Sequence, residues 1–331
     1  MKNFDDYYQS EILPEVNKFE EFRKSYLLKN RILKLVLFLS IIIYYIILKT
    51  FYSDLFNESF LSFIHPDYTP FNNYNYLLQI TGGFLAISAF LIYKLKAFRE
   101  EFSYLSKSEL YSKIIDFFPN LYYQPFTEID PYQVINSLLF KDFDYIESED
   151  YITGNYKGVS IELSEIRLTK IIQVTQIINN IEVPIEKEKE VFKGLFFISS
   201  MNKKFSSKTY ILADRWLKIF NDIPLDLERV TLEDPVFENK FDVYSDDQIE
   251  ARYLLTTAFM ERLIELCNLM SLSCCFIDNK FILALNNEQD FLPNLSLAEP
   301  ITYEIVKKIV NQVNMVFKII DILKLDLDIG L

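Results

Sequence analysis

A chain of 331 residues has room for one large domain or two ordinary ones, and half of its residues are apolar, more than an acidic soluble protein needs. A formal net charge of −13 excludes general binding to nucleic acid, which requires clustered Lys and Arg to neutralise phosphate. Three cysteines, Cys267, Cys274 and Cys275, crowd into one stretch without C-x-x-C spacing, so they read as reduced core thiols rather than a disulfide framework.

Residues 1–30 form a charged, helical N-terminal segment. The run that follows, LVLFLSIIIYYIIL at 35–48, carries no charge, and its apolar character reaches from Ile32 to Tyr52 when Lys34 and Lys49 snorkel. At 1.5 Å per residue this span covers about 30 Å, the thickness of a bilayer's hydrocarbon core. A signal peptide fits poorly, because the run starts late and no small-residue cleavage site follows it. A second span is predicted over 74–93, centred on LLQITGGFLAISAFLIY. Residues 31–94 are therefore expected to form a transmembrane hairpin, with spans at 32–52 and 74–93 joined by a loop at 53–73.

Charge sets the orientation. Lys18, Arg23, Lys24, Lys29, Arg31 and Lys34 precede the first span, and Lys94, Lys96, Arg99 and Lys107 follow the second. Between Phe51 and Tyr93 there is no Lys or Arg. The positive-inside rule then places both termini in the cytoplasm and the 53–73 loop outside. His65 and Asp67 in that loop are too few to make a metal site, and a turn around Pro66 accounts for them. In the second span Gly82, Ala86 and Ala89 form a small-residue stripe that permits close helix approach. It serves either packing against the first span or a seam for a partner membrane protein.

Residues 95–141 read as a helical stalk ending near Pro119, followed by a short helix at DPYQVINSLLF with Asp130 as N-cap and Pro131 at its first position. Residues 142–331 read as a cytoplasmic α+β domain with an antiparallel sheet and packed helices. From Tyr145 the period changes to two, and YITGNYKGVSIELSEIRL predicts a hairpin turning near Asn155 and Gly158. EVFKGLFFISS, KTYILAD and ERVTLED read as further strands, and IINNIEVPIEKEKE as a protruding hairpin or loop whose charge run is a solvated tip. In FKGLFFI, Phe192, Phe196 and Ile198 share one face of a strand, and Leu195 and Phe197 the other. Both faces are apolar. This predicts a central strand covered on both sides, or, with one face bare, a partner surface at Leu195 and Phe197.

The stretch VYSDDQIEARYLLTTAFMERL, 243–263, concentrates charge at a helix start. Ser245 and Gln248 fit a capping box, with Asp246 and Asp247 in the first turn and Phe259, Leu263, Leu266, Cys267 and Met270 on one apolar face. SCCFIDNKFILALN predicts a hairpin around Asp278–Asn279. Ile305, Ile309, Val313, Val316, Ile320 and Leu323 then mark the buried stripe of a helix over 301–325.

The only histidine lies in the outer loop, so a His-dependent triad on the cytoplasmic side is excluded, and neither a Walker A motif nor G-x-G-x-x-G occurs. No catalytic residue, metal site or cofactor is expected. The alternative is a carboxylate- and metal-dependent enzyme holding Mg²⁺ at Asp246, Asp247 and Glu250, residues that a capped helix start also produces.

DYITGNYKGVSIELSEI, VFKGLFFISSMNKKFSSKTYILAD, LEDPVFENKFDVYSDDQIEARYLLTTAFMERLIEL and FIDNKFILAL, taken in this order over Asp142–Leu285, resemble the bacterial domain-of-unknown-function family 3137. The resemblance implies a two-span hairpin followed by this α+β domain in the bacterial plasma membrane. It also implies a LemA-type membrane protein as neighbour, and it brings no catalytic residue. The expected function is a membrane-anchored cytoplasmic binding or scaffolding module. Its partners are the lipid bilayer and a LemA-type or other membrane protein, with self-association left open.

Overall fold

The structure is a computed structural model that describes residues 3–64, 74–140, 142–178, 181–201, 204–213, 226–286 and 290–326. His65 and Asp67 lie outside the described residues. The chain divides into two compact units: Tyr8–Leu110 with Asn294–Ile301, and Met1–Tyr7 with Tyr111–Pro293 and Thr302–Leu331.

After a single turn, α1 (Phe4–Tyr7), the helical unit is built on α2 (Leu13–Ile64) and α3 (Tyr74–Leu105). Each includes a stretch long and apolar enough to cross a membrane. Leu35, Phe38, Ile42, Tyr45, Leu85, Ile87 and Phe90 are exposed, an apolar surface that is unfavourable in water and required in lipid. The two helices meet where the Tyr44 and Phe84 rings stack at 4.1 Å and the Tyr44 hydroxyl lies 3.1 Å from that of Thr81. Nearer the N-terminus, Arg23 grips Glu20 through two bonds of 2.7 and 2.9 Å and donates to the Leu297 carbonyl. Glu20 in turn accepts from the Ile301 backbone N–H. Residues 294–301 are thus stitched to α2 by charge-assisted bonds, a long-range contact that no local sequence pattern announces.

The other unit carries α4 (Ser112–Ile115), β1 (Leu121–Gln124), α5 (Pro131–Asn136), β2 (Tyr145–Tyr156), β3 (Val159–Ile178), β4 (Ile181–Ser200), β5 (Thr209–Ala213) and β6 (Glu228–Arg229). It continues with α6 (Pro235–Glu238), β7 (Phe241–Ser245), α7 (Gln248–Leu254), α8 (Thr257–Leu269), β8 (Leu272–Ile277), β9 (Lys280–Asn286) and α9 (Tyr303–Leu323). Among the described residues the strands form one antiparallel sheet in the order β1-β2-β3-β4-β9-β8-β5-β7-β6. The fold class is α+β, as the change of period predicts.

Local chemistry explains most elements. Asp130 accepts from the Tyr132 N–H and caps α5 with Pro131 behind it, and Asp234 with Pro235 does the same for α6. Lys157 and Gly158 turn β2 into β3 with φ of 52° and 85°, and Asp278 and Asn279 turn β8 into β9 at 52° and 58°, left-handed values that suit tight hairpins. At Gly154 a Cβ would fall 2.0 Å from the Asn120 carbonyl oxygen, so only glycine lets β1 approach β2.

Several expectations are corrected. β1 lies inside the segment read as a stalk and pairs with Tyr151–Gly154. The stretch read as one capped helix is two: Thr256 caps α8 anew through the Phe259 N–H. Asp247, not Ser245, caps α7, while Ser245 ends β7 and bonds Thr209. The strand at ERVTLED shrinks to Glu228–Arg229. The 186–190 charge run is not a tip but a regular part of the β4 ladder.

β4 is central, between β3 and β9. Leu195 is 2% and Phe197 0% exposed, and Phe192, Phe196 and Ile198 on the opposite face are equally buried. Phe140 packs on Phe192 at 4.6 Å on that opposite face. On the Leu195–Phe197 face, Phe259 of α8 packs against Phe276 and Phe281, and Phe317 of α9 against Tyr156. α9 buries Val306, Ile309, Val310, Val313, Val316, Phe317, Ile320 and Leu323, with Ile305 half-buried at the margin of that stripe. Cys274 and Cys275 are free and buried, and burial pushes both thiols up.

Candidate functional site

The expected carboxylates at the start of α7 are each spent on backbone. Asp246 accepts from the Lys208 N–H at 2.8 Å and Asp247 from those of Ile249 and Glu250 at 2.8 and 2.9 Å. Glu250 accepts from Ser206 and Ser207, the latter at 2.5 Å, and these bonds hold its carboxyl below the usual range against the opposing effect of burial. Together they fasten the 206–208 segment to the helix start. That accounts for their presence without a metal ion.

A different group of acids is brought together at a bulge in β2. β2 and β3 pair regularly up to Glu149↔Glu165 and resume at Ile152↔Leu163, so two residues of β2 stand opposite Ser164. Asp150 takes a left-handed φ of 58°, which Asp tolerates better than most residues. Ser164 Oγ satisfies the Glu149 carbonyl at 2.7 Å, and Asp150 N–H reaches the Pro125 carbonyl. This geometry buries the Asp150 side chain completely, where it accepts from the Tyr123 hydroxyl at 2.5 Å. Glu165, 4% exposed, accepts from the Phe291 N–H at 2.6 Å.

Carboxylate oxygens of Glu149, Asp150 and Glu165 lie within 4.8 Å of one another. Glu149 and Glu165 line a cavity of about 400 Å³ together with Glu147, Arg167, Lys193 and Asp290, with Lys193 Nζ 2.6 Å from Asp290. Burial raises the Glu165 carboxyl to about 7; the Phe291 N–H opposes this, and the charges of Asp290, Glu149 and Asp150 add to it. Burial, with the Asp150 charge beside them, also lifts the phenols of Tyr111 and Tyr123 well above the ordinary tyrosine range. Chemically Glu165 is the acid whose proton this burial favours, and the hard oxygens of the cluster are the ligand type that Ca²⁺ and Mg²⁺ use. Sequence reasoning passes over it, because Glu149, Asp150 and Glu165 come together only through the pairing of β2 with β3 and the bulge in it.

The remaining singled-out residues are placed as follows. Gly82, Ala86 and Ala89 are exposed on α3, whereas Thr81, Phe84, Ser88 and Leu91 are covered to varying degrees. Leu195 and Phe197 are core, so a partner surface there would require the domain to open.

No curated protein matches the chain. Among solved structures it is similar to the crystal structure of the mycobacterial trehalose monomycolate transport factor A, TtfA, at 9% identity and a TM-score of 0.29, over 61% of this chain and 88% of that one. Residues 190–325, running from β4 through α9, match a family described as protein of unknown function, DUF3137.

Proposed function

We propose that the protein is a membrane-anchored binding module, with α2 and α3 crossing the bacterial plasma membrane, both termini in the cytoplasm and the α+β domain acting there with a partner membrane protein. A LemA-type protein is the partner class that the family resemblance suggests. The observation that carries this reading is the orientation of the small-residue stripe. α3 uses Thr81 and Phe84 to meet α2 and leaves Gly82, Ala86 and Ala89 outward, where a Cβ added at Gly82 meets nothing within 4 Å. Small outward residues allow a further helix to approach closely in lipid.

Gly82→Leu with Ala86→Leu tests this in the full chain. The double variant is expected to keep the hairpin, since leucine favours helix and the positions are open. It is also expected to convert the native membrane complex to a smaller species on a native gel. A complex of unchanged size would refute the stripe as a seam.

A further inference from the structure

We infer that the outer half of the β3–β4 hairpin is an arm that lies on an anionic lipid surface. From Lys170↔Lys189 outward to Ile178↔Ile181, β3 and β4 pair only with each other among the described residues. β2 stops at Tyr145↔Thr169, and β9 at Gly194↔Asn286. The ribbon is about 30 Å long at the usual rise per residue. A two-stranded ribbon is marginal in water by itself and gains from a surface to rest on.

The register sorts its side chains completely by charge. One face presents Lys170, Ile172, Val174 and Gln176 from β3 and Val183, Ile185, Lys187 and Lys189 from β4. The other presents Thr169, Ile171, Gln173 and Thr175 with Pro184, Glu186, Glu188 and Glu190. The run EKEKE, which looks like mixed solvating charge, is thus split by alternation into a cationic and an anionic side. In a chain of net charge −13, a face with three lysines and no acid is an exception.

Lys170 and Lys189 stand directly opposite each other, an arrangement that costs stability unless anions neutralise it. Asp142, 3.5 Å from Lys170, does this in part, while Lys187 and Lys189 are exposed. The apolar residues lie toward the tip and the lysines toward the base, so aliphatic groups can enter the acyl boundary while ammonium groups meet phosphates. Pro184 blunts the β4 edge against an added strand, which favours a lipid surface over a strand-adding protein.

The inference rests on the membrane-anchored reading in one respect: the same chain that carries the arm also carries the two membrane spans. Its test is amide hydrogen exchange of the full chain in nanodiscs of phosphatidylcholine, with or without phosphatidylglycerol. Slower exchange over 169–178 and 183–190 is expected only with phosphatidylglycerol. Lys187→Glu with Lys189→Glu should reduce that protection about 25-fold or more, at about fivefold per lysine. Glu186→Gln with Glu188→Gln should leave it unchanged. Equal exchange in both disc types, or protection that survives lysine reversal, overturns the proposal. So does protection that appears in native membranes but not in phosphatidylglycerol discs, which assigns the arm to a protein partner. Co-elution with the discs reads anchoring separately. A chain that fails to enter them contradicts the anchored reading, and its lysine-dependent sedimentation with phosphatidylglycerol vesicles then decides the arm alone.

Discussion

Replacing Phe197 with serine is expected to unfold the α+β domain. Phe197 pairs directly with Leu163 of β3 and Leu283 of β9, and all three side chains are buried beneath the helices. Deleting the ring removes contacts on both sides of the central strand, a loss of about 3–5 kcal/mol for a Phe-sized cavity. A serine hydroxyl left without a partner adds about 1–3 kcal/mol. The sum approaches the whole stability of a typical domain, about 5–15 kcal/mol. Leu195→Ser should be nearly as severe. Protease resistance of the 111–293 region in the detergent-solubilised full chain reads the effect. If both variants resist proteolysis like the parent, this face is not core and the covered-strand account fails.

The second large effect is a pH dependence with the opposite sign to that of most carboxylates. Glu165 is raised to about 7 in the folded domain from 4.5. Between these values the folded state holds a proton that the unfolded state has released, so this residue's contribution favours folding at low pH. It is lost as pH rises through 7. Above that pH a buried carboxylate costs roughly 3 kcal/mol, a figure set by the size of the shift. Glu165→Gln keeps an acceptor for the Phe291 N–H and removes the charge. The variant should therefore be more stable than the parent at pH 8, by up to that amount, and differ little near pH 4. Thermal unfolding of both proteins across this range provides the test. A parent-minus-variant difference that does not change with pH would show that Glu165 is not held protonated by its burial.

Elements defined by neighbours in sequence were legible before the structure: the two apolar helices, the Asp130–Pro131 cap, the Asp278–Asn279 turn and the stripe of α9. What escaped depends on partners far away in the chain. Alternation along IESEDYITG shows no bulge, because the bulge exists only in the pairing of β2 with β3. Glu165 falls in line with Ile161 and Leu163 on the covered face of β3, and its partner there, the Phe291 backbone N–H, lies 126 residues away. The break between α7 and α8 has no Gly or Pro to mark it. Its signal is Thr256, a capping residue inside a helical pattern. The direction in which Gly82, Ala86 and Ala89 point required the register of two helices at once. Charge sorting on the β3–β4 arm required knowing that EKEKE is strand.

The central claim is the anchoring itself, two membrane crossings with both ends in the cytoplasm, and it rests on the apolar exposure of α2 and α3 together with the Lys/Arg asymmetry. The most direct measurement is a paired topology assay in cells, with a reporter fused after Leu331 and an epitope inserted near Asp67. The account predicts a reporter active in the cytoplasm and an epitope reached by antibody from outside. A C-terminal reporter exposed outside, or an epitope protected from outside while the chain stays in the membrane, would contradict it.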